Sequence, residues 1–313
     1  MATARRSARA SAPLSLRLSA WAKVNLYLQV VGRRADGYHE LDSLIVFAGV
    51  GDRLGFDTAD DLTLTIEGPF GATLPVDDGN LVLRAARALR DSQSVERGAR
   101  FTLEKRLPVA AGIGGGSADA AAALIGLARL WKLAPDEAEL SALAARLGAD
   151  VPVCLYGRPA FIGGIGEAIE RAPPLPPAWL VLLNPGVALA TPAVFTAYQG
   201  TRRGAYSSPA RWAEIDRDAA ALADRLADRR NDLEAPALSL VPEIAEALSA
   251  LRRQPGCLLA RMSGSGATCF GLFAQQTAAE EATKVVAAER RDWWSVAAPL
   301  LHGRLDRPWW GEF

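Results

Sequence analysis

The chain predicts an α+β fold in two domains, on three observations. Strand-like alternation dominates the first part of the chain, a glycine-rich loop runs straight into an alanine-rich helix, and a proline run, Pro173-Pro174-Leu175-Pro176-Pro177, precedes a second mixed segment. Proline fixes its own φ and has no amide hydrogen, so such a run continues neither a helix nor a ladder. The predicted bounds are 1–12 for a basic tail, 13–172 for the first domain and 178–313 for the second.

Taken in order, residues 1–12 carry Arg5, Arg6 and Arg9 and no acid. That composition mimics a transit peptide, but a disordered tail is the reading adopted. Leu14 to Val31 alternates loosely around the lone charge of Lys23 and reads as strand. Leu41 to Ile66 is a second strand-rich segment, with turns predicted at Gly49 and Gly51-Asp52. Asn80 precedes Leu81, Ala85, Ala88 and Leu89, a helical spacing with Asn80 as the N-cap. Ala99 to Glu104 returns to strand. Four glycines between Gly112 and Gly116 should break any regular element, so the next helix is predicted from Ala120 to Trp131, with Ala120, Leu124, Leu127 and Trp131 facing the core. A helix from about Asp136 to Leu147 should stop at Gly148, with Pro152 preventing another.

In the second half, Trp179 to Leu183 reads as a buried strand, and Thr191 to Tyr198 as a short helix with Pro192 at its first position. Helices are predicted over about 209–228 and 242–253, the latter with Ile244, Leu248 and Leu251 on one face. Strands from Cys257 to Met262 and Ala267 to Phe273 flank a Ser263-Gly264-Ser265-Gly266 turn, and a helix from Ala278 to Arg291 follows. Trp293, Trp294, Trp309 and Trp310 read as packing or a self-association patch.

Composition excludes several functions. Lys+Arg and Asp+Glu balance at 35 each, which argues against nucleic acid or an anionic membrane as partner, because counterion-driven binding needs a basic surface. No uncharged stretch is long enough to span a bilayer. Cys154, Cys257 and Cys269 lack paired metal-ligand spacing, so a reducing, cytoplasmic setting is expected. With His39 and His302 the only histidines, a histidine-based metal site is disfavoured.

The chemistry centres on the glycine loop. Bare backbone leading into a helix N-terminus lets amide N–H groups converge on an anion, and no side chain keeps a phosphate away. Three familiar phosphate loops fail letter by letter. A Walker loop needs a lysine after its last glycine, where Ser117 stands. A dinucleotide or protein-kinase G-x-G-x-x-G needs a third glycine, where Ser117 or Asp119 stands. The Ser117 hydroxyl could meet phosphate or Mg²⁺, or cap the helix; the roles of Asp119 and of Asn231-Asp232 stay open. Asp150, in Gly148-Ala149-Asp150-Val151-Pro152, is a carboxylate among apolar neighbours that needs a partner if buried. Lys23 is an equally isolated cation. If the two meet, Lys23 keeps Asp150 ionised and faces a transferring phosphoryl charge. Asn25 lies two residues on, on the same strand face.

The pattern P-x-x-x-G-[LI]-G-G-G-S-x-x-A from Pro108 resembles the second motif of the GHMP small-molecule kinases. Ala22-Lys23-Val24-Asn25-Leu26-Tyr27-Leu28 is similar to their first motif and Ser263 to Thr268 to their third. Gly32 to Glu40 and Leu147 to Val153 are similar to one branch, whose substrate carries a cytidine diphosphate group. The matches run in order from about residue 20 to about residue 275. This resemblance implies a ribosomal protein S5 domain 2-like first domain and a ferredoxin-like α/β plait, with the active site in the cleft between them. It implies phosphoryl transfer from ATP, with Mg²⁺, to an alcohol of a small molecule, by a monomer or homodimer. Lys23 and Asp150 would be the catalytic pair. Pro108, Gly112, Gly114, Gly115, Gly116 and Ser117 would seat the ATP phosphates, with Ser117 toward the metal; Asn80 and Lys105 would meet adenine or its sugar, although Lys105 reads equally as a solvated charge. Tyr38 and His39 would line the cytosine pocket with Phe195 stacking, Asn25 and Thr191 would lie near the sugar alcohol, and Gly264, Ser265 and Gly266 would close over the diphosphate. Two positions depart from the usual motif: Ala118 replaces a second serine, and Asp119 stands where asparagine is more common.

Overall fold

A computed structural model describes residues 16–198 and 211–302; the basic tail and Trp309-Trp310 lie outside them. The first half contains β1 (Leu16–Arg33), β2 (His39–Ala59), β3 (Leu62–Glu67), α1 (Leu81–Ser92), β4 (Gly98–Glu104), α2 (Gly115–Trp131), α3 (Glu137–Leu147), α4 (Val151–Tyr156), β5 (Ala160–Gly163) and β6 (Ala168–Arg171). The second contains β7 (Trp179–Asn184), α5 (Thr191–Ala197), α6 (Ala219–Ala227), α7 (Glu234–Leu240), α8 (Glu243–Arg252), β8 (Cys257–Met262), β9 (Cys269–Phe273), α9 (Gln276–Glu289) and β10 (Trp294–Leu301).

The long strand β2 organises the first half. It pairs antiparallel with β1 from Leu16↔Phe56 to Arg33↔His39, and with β4 and β5 along its other edge, while β3 joins β4 in parallel. Helices α1, α2 and α3 bury their apolar faces on this sheet around Phe56, Phe101, Leu89, Leu124 and Trp131. In the second half the strands run β10-β7-β9-β8, all antiparallel, which is the fourth-first-third-second order of a split β-α-β plait. Alternation along β7 decides its packing. Val181 and Leu183 join Ile244, Leu248, Leu251 and Val286 of α8 and α9, whereas Leu180 and Leu182 pack with Val24 and Leu26 of β1 and Leu222 of α6. That shared core, with Leu300↔Ala48 and Leu301↔Phe47 between β10 and β2, joins the halves.

Several local expectations need correction. Neither Gly49 nor Gly51-Asp52 is a turn, because β2 runs through both. A Cβ on Gly51 would lie 2.3 Å from the Ala20 carbonyl oxygen, so this glycine admits the irregularity in β1 between Trp21 and Lys23. Helix α2 begins at Gly115, not Ala120: only Gly114 is the left-handed N-cap, and Gly115 and Gly116 form the first turn. The predicted stripe is buried, but so is nearly everything from Ala118 to Leu124, since α2 runs through the core. Pro152 does not prevent a helix. It sits in the first turn of α4, where a missing N–H costs nothing. Among the described residues, the helix predicted over about 209–228 is only α6, started by Asp218, whose carboxylate accepts from the Ala221 amide. Helix α7 and strand β10 were not predicted, and β10 explains two tryptophans. Trp293 is buried beneath the Arg290 guanidinium, and Trp294 pairs with Asn184 inside the sheet.

Candidate active site

One cavity of about 1140 Å³ opens between the halves. Its walls include β1, the start of β2, the first turns of α1, α2 and α5, Asp150 at the N-cap of α4, and the Ser263–Gly266 turn. Every site residue expected from the sequence lies on it except Gly266.

Lys23 and Asp150 meet there. The Lys23 ammonium lies 3.1 Å from Asp150 Oδ2 and donates to Asn25 Oδ1 at 2.8 Å. Of these two isolated charges only the lysine is buried, its side chain 6% exposed against 42% for the aspartate. Asp150 stands at the N-cap position of α4, but its own backbone is helical and its side chain caps nothing, so the carboxylate opens into the cavity.

Across from this pair, Gly114 turns the chain at φ +65°, and α2 directs its first-turn N–H groups into the cavity wall. The glycines have separate reasons. A Cβ on Gly114 would come within 2.5 Å of Lys23 Cγ, and one on Gly112 within 2.6 Å of the Ser263 and Gly266 carbonyl oxygens. Ser117 lines the cavity without capping α2, which leaves its hydroxyl for a ligand.

Beneath the loop lies a buried charge cluster. Lys105 Nζ is 2.5 Å from Asp52 Oδ2 and 2.8 Å from Asp119 Oδ2. Asp52 Oδ1 also accepts from the Arg106 and Leu107 amides at 2.6 and 2.8 Å. Lys105 is thus not a solvated charge: although its side chain borders the cavity, its ammonium is committed to two carboxylates under the nucleotide wall. Burial opposes its charge, but both aspartates overcome this and hold its pKa above the ordinary value. Asp119 answers its open question: it braces Lys105, with Oδ1 buried and unpartnered among the described residues. Burial pushes Asp119 up to about 7, with Lys105 opposing the shift and Asp52 adding to it.

Asn80 caps α1 as expected, accepting from the Val82 amide at 2.9 Å, while its amide donates to the Pro75 carbonyl. At the far end of the cavity His39 stacks on Phe195, ring centres 5.2 Å apart and planes 23° from parallel. Tyr198 meets His39 edge-on at 5.5 Å, and Tyr38 is 62% exposed at the rim. Burial, then the Arg33 charge, lowers the His39 pKa.

The Ser263–Gly266 turn is bolted to its surroundings. Ser263 Oγ donates to the Gly112 carbonyl and accepts from the Asn25 amide, and the Ser265 and Thr191 hydroxyls lie 2.7 Å apart. Asn231, which spacing left without a role, donates through Nδ2 to the Met262 and Gly264 carbonyls and accepts from the Leu233 amide. Asp232 accepts from the Val30 amide. Tyr198 and Asp52 are contributors that motif reading passed over, whereas the Asn231-Asp232 pair was visible in the sequence without a role. Among the described residues no cluster of three or more His, Cys, Asp or Glu could hold a metal, and no helix is long and apolar enough to cross a membrane.

Comparison with known proteins gives the family. Residues 80–158 match the family described as GHMP kinases N terminal domain, and residues 211–291 match GHMP kinases C terminal. A 4-diphosphocytidyl-2-C-methyl-D-erythritol kinase of Paramagnetospirillum magneticum is 53% identical over 92% of this chain and 99% of its own length. Another protein of that name, from Cereibacter sphaeroides, is 56% identical over 89% of this chain and 97% of its own. A crystal structure of 4-(cytidine 5'-diphospho)-2C-methyl-D-erythritol kinase superposes with a TM-score of 0.74 at 36% identity, covering 92% of this chain and all of that one. The chain therefore belongs to the GHMP kinases and has their two-domain α+β fold, and within them it is a member of the 4-diphosphocytidyl-2-C-methyl-D-erythritol kinase family.

Proposed function

We propose that this enzyme transfers the γ-phosphoryl group of ATP to the 2-hydroxyl of 4-diphosphocytidyl-2-C-methyl-D-erythritol, giving the 2-phosphate and ADP in the non-mevalonate route to isoprenoid precursors. The observation that carries this reading is one cavity with a phosphate-binding helix start and the Lys23–Asp150 pair at one end and the His39–Phe195 stack at the other. Phosphoryl transfer asks a protein mainly for positioning and charge neutralisation. Asp150, half open to the cavity, accepts the proton of the attacking hydroxyl, and Lys23, 3.1 Å away, aims that carboxylate. Amides of Gly115, Gly116 and Ser117 receive phosphate oxygens, with Gly112 and Gly114 allowing close approach. Asn80 and the Pro108 backbone border the nucleotide, and Lys105 supports that wall from below through its two aspartates.

His39 and Phe195, with Tyr38 at the rim, hold the cytosine ring, since a flat base has a π-face and polar edges that these groups match. Asn25 and Thr191 meet the sugar-alcohol hydroxyls, and the Gly264–Gly266 backbone receives the diphosphate. Mg²⁺ suits the uncommitted Ser117 hydroxyl, a hard oxygen donor beside the phosphates, with no dedicated carboxylate cage among the described residues. When bound it supplies charge neutralisation on the phosphates. The reading extends to a division at the proline run into 13–172 and 178–313, to a reducing cytoplasmic setting, and to a monomer or homodimer.

A coupled ADP-release assay tests the assignment. Turnover is expected with the cytidyl substrate and not with mevalonate or homoserine; turnover with only the latter two would overturn it.

A further inference from the structure

Between β1 and β2, directly behind the Lys23 ammonium, runs a line of hydrogen bonds whose directions the atoms themselves dictate. Ser43 Oγ lies 2.6 Å from the Tyr27 carbonyl oxygen, 2.8 Å separates it from the Asn25 carboxamide nitrogen, and the Asn25 carboxamide oxygen lies 2.8 Å from Lys23 Nζ. Ser43, Asn25 and Lys23 are 2%, 3% and 5% exposed, so bulk water offers these atoms little substitute.

A hydroxyl has a single hydrogen to donate, and a backbone carbonyl can only accept. The Ser43 hydrogen therefore belongs to Tyr27, and toward Asn25 the same oxygen can only accept. The carboxamide must turn its NH₂ to Ser43, which turns its carbonyl oxygen to Lys23. The reversed orientation would set NH₂ hydrogens against an ammonium and one oxygen against another that has no hydrogen left. An amide on its own has no such preference, because its two ends are nearly the same size. Ser43 supplies it.

The strand irregularity makes this line possible. The register shifts between Asn25 and Tyr27, so that two residues of β1 stand against one of β2, Asn25 opposite Ile45 and Tyr27 opposite Leu44. Such a bulge re-aims side chains locally. Here Lys23 and Asn25 face the cavity while the Tyr27 carbonyl remains available to a side chain of β2.

We propose that Ser43 is a positioning residue for phosphoryl transfer: it sets the orientation of the Asn25 carboxamide, which in turn holds the Lys23 ammonium against Asp150. Ser43 need touch no substrate for this. The inference rests on the kinase reading above, because it concerns the pair assigned there to the chemistry.

The test compares Ser43→Thr with Ser43→Val, two side chains of similar shape of which only the first keeps a hydroxyl. Both are assayed for kcat and for the KM of ATP and of the cytidyl substrate. Ser43→Thr should keep kcat within about threefold of the parent, and Ser43→Val should lose roughly tenfold or more in kcat while both KM values move less than about threefold. Equal kcat in the two variants, or a loss confined to KM, overturns the proposal. Thermal melting identifies a variant that does not fold; should Ser43→Val be one, the smaller Ser43→Ala makes the same comparison with the same expectations. Parent activity separates this test from the substrate assignment. If the parent phosphorylates another alcohol and not the cytidyl compound, the substrate assignment fails, and the Ser43 comparison is run on that alcohol.

Discussion

The Lys23 ammonium is the buried member of its ion pair with Asp150, 3.1 Å away, and this asymmetry separates what each residue gives to stability from what it gives to activity. Asp150 is open enough to stay hydrated alone. Lys23→Met should therefore fold normally yet lose turnover. Asp150→Asn should lower kcat about a hundredfold or more, the usual range for a positioned base, with both KM values nearly unchanged. Steady-state kinetics with calorimetric binding checks this, and a normal kcat in Asp150→Asn would remove the base assignment.

Lys105 sits between two carboxylates with almost no water, so removing it is predicted to be costly. Lys105→Met leaves Asp52 and Asp119 facing each other, buried and uncompensated, and should destabilise the fold by about 3–5 kcal/mol. Chemical denaturation of the variant against the parent measures it.

Asp119 makes stability pH-dependent with a definite sign. Burial, the largest cause, raises its folded-state pKa from 3.8 to about 7, so the folded state holds that proton more tightly than the unfolded chain does. Stability from this proton is present at low pH and is lost as pH rises between those two values. Asp119→Asn keeps Lys105 neutralised by Asp52 and has no proton to lose. Relative to the parent, its melting temperature should rise between pH 5 and pH 8, as read by thermal melting at constant ionic strength. An advantage that grew on acidification would contradict the assignment.

Gly112 sits between two motifs at φ +74°, where a Cβ would meet the Ser263 and Gly266 carbonyl oxygens at 2.6 Å. Gly112→Ala adds left-handed strain of about 1–2 kcal/mol and pushes the phosphate loop off the turn. On the proposed assignment of the two sides to ATP and to the substrate diphosphate, kcat/KM should fall for both ligands together.

Phe195 stacks on His39 at the end of the cavity remote from the phosphate loop. Phe195→Ala should raise the KM of the cytidyl substrate by roughly five- to a hundredfold, as loss of one base–aromatic stack implies, and leave that of ATP unchanged. Equal losses for both ligands would contradict a cytosine-specific role.

Local features were legible in the sequence because they depend on residues close together in it. Asn80 caps α1, and Ala120, Leu124, Leu127 and Trp131 share a buried face, as their spacing implies. Gly49 and Gly51 misled, because the need for glycine at position 51 comes from the Ala20 carbonyl in the neighbouring strand. Lys105 misled for the same reason: its neutralising partners, Asp52 and Asp119, come from other elements, so its sequence neighbours gave no sign of burial. Lys23 and Asp150 were linked in advance by their shared isolation, but which was buried depended on the helix start at Val151. Ser43 gave no signal, since its importance lies in where a single hydrogen points.

Strand β10 has a consequence for how the molecule is made. It is the last described strand in the chain, yet it lies between β2 and β7, so neither sheet is complete without it. On a ribosome, β1 and β2 can form their hairpin early, but the plait and its seam with the first half must await residues 294–301. The substrate cleft is thus assembled late, and a chain stalled before that strand would present open sheet edges to chaperones and proteases.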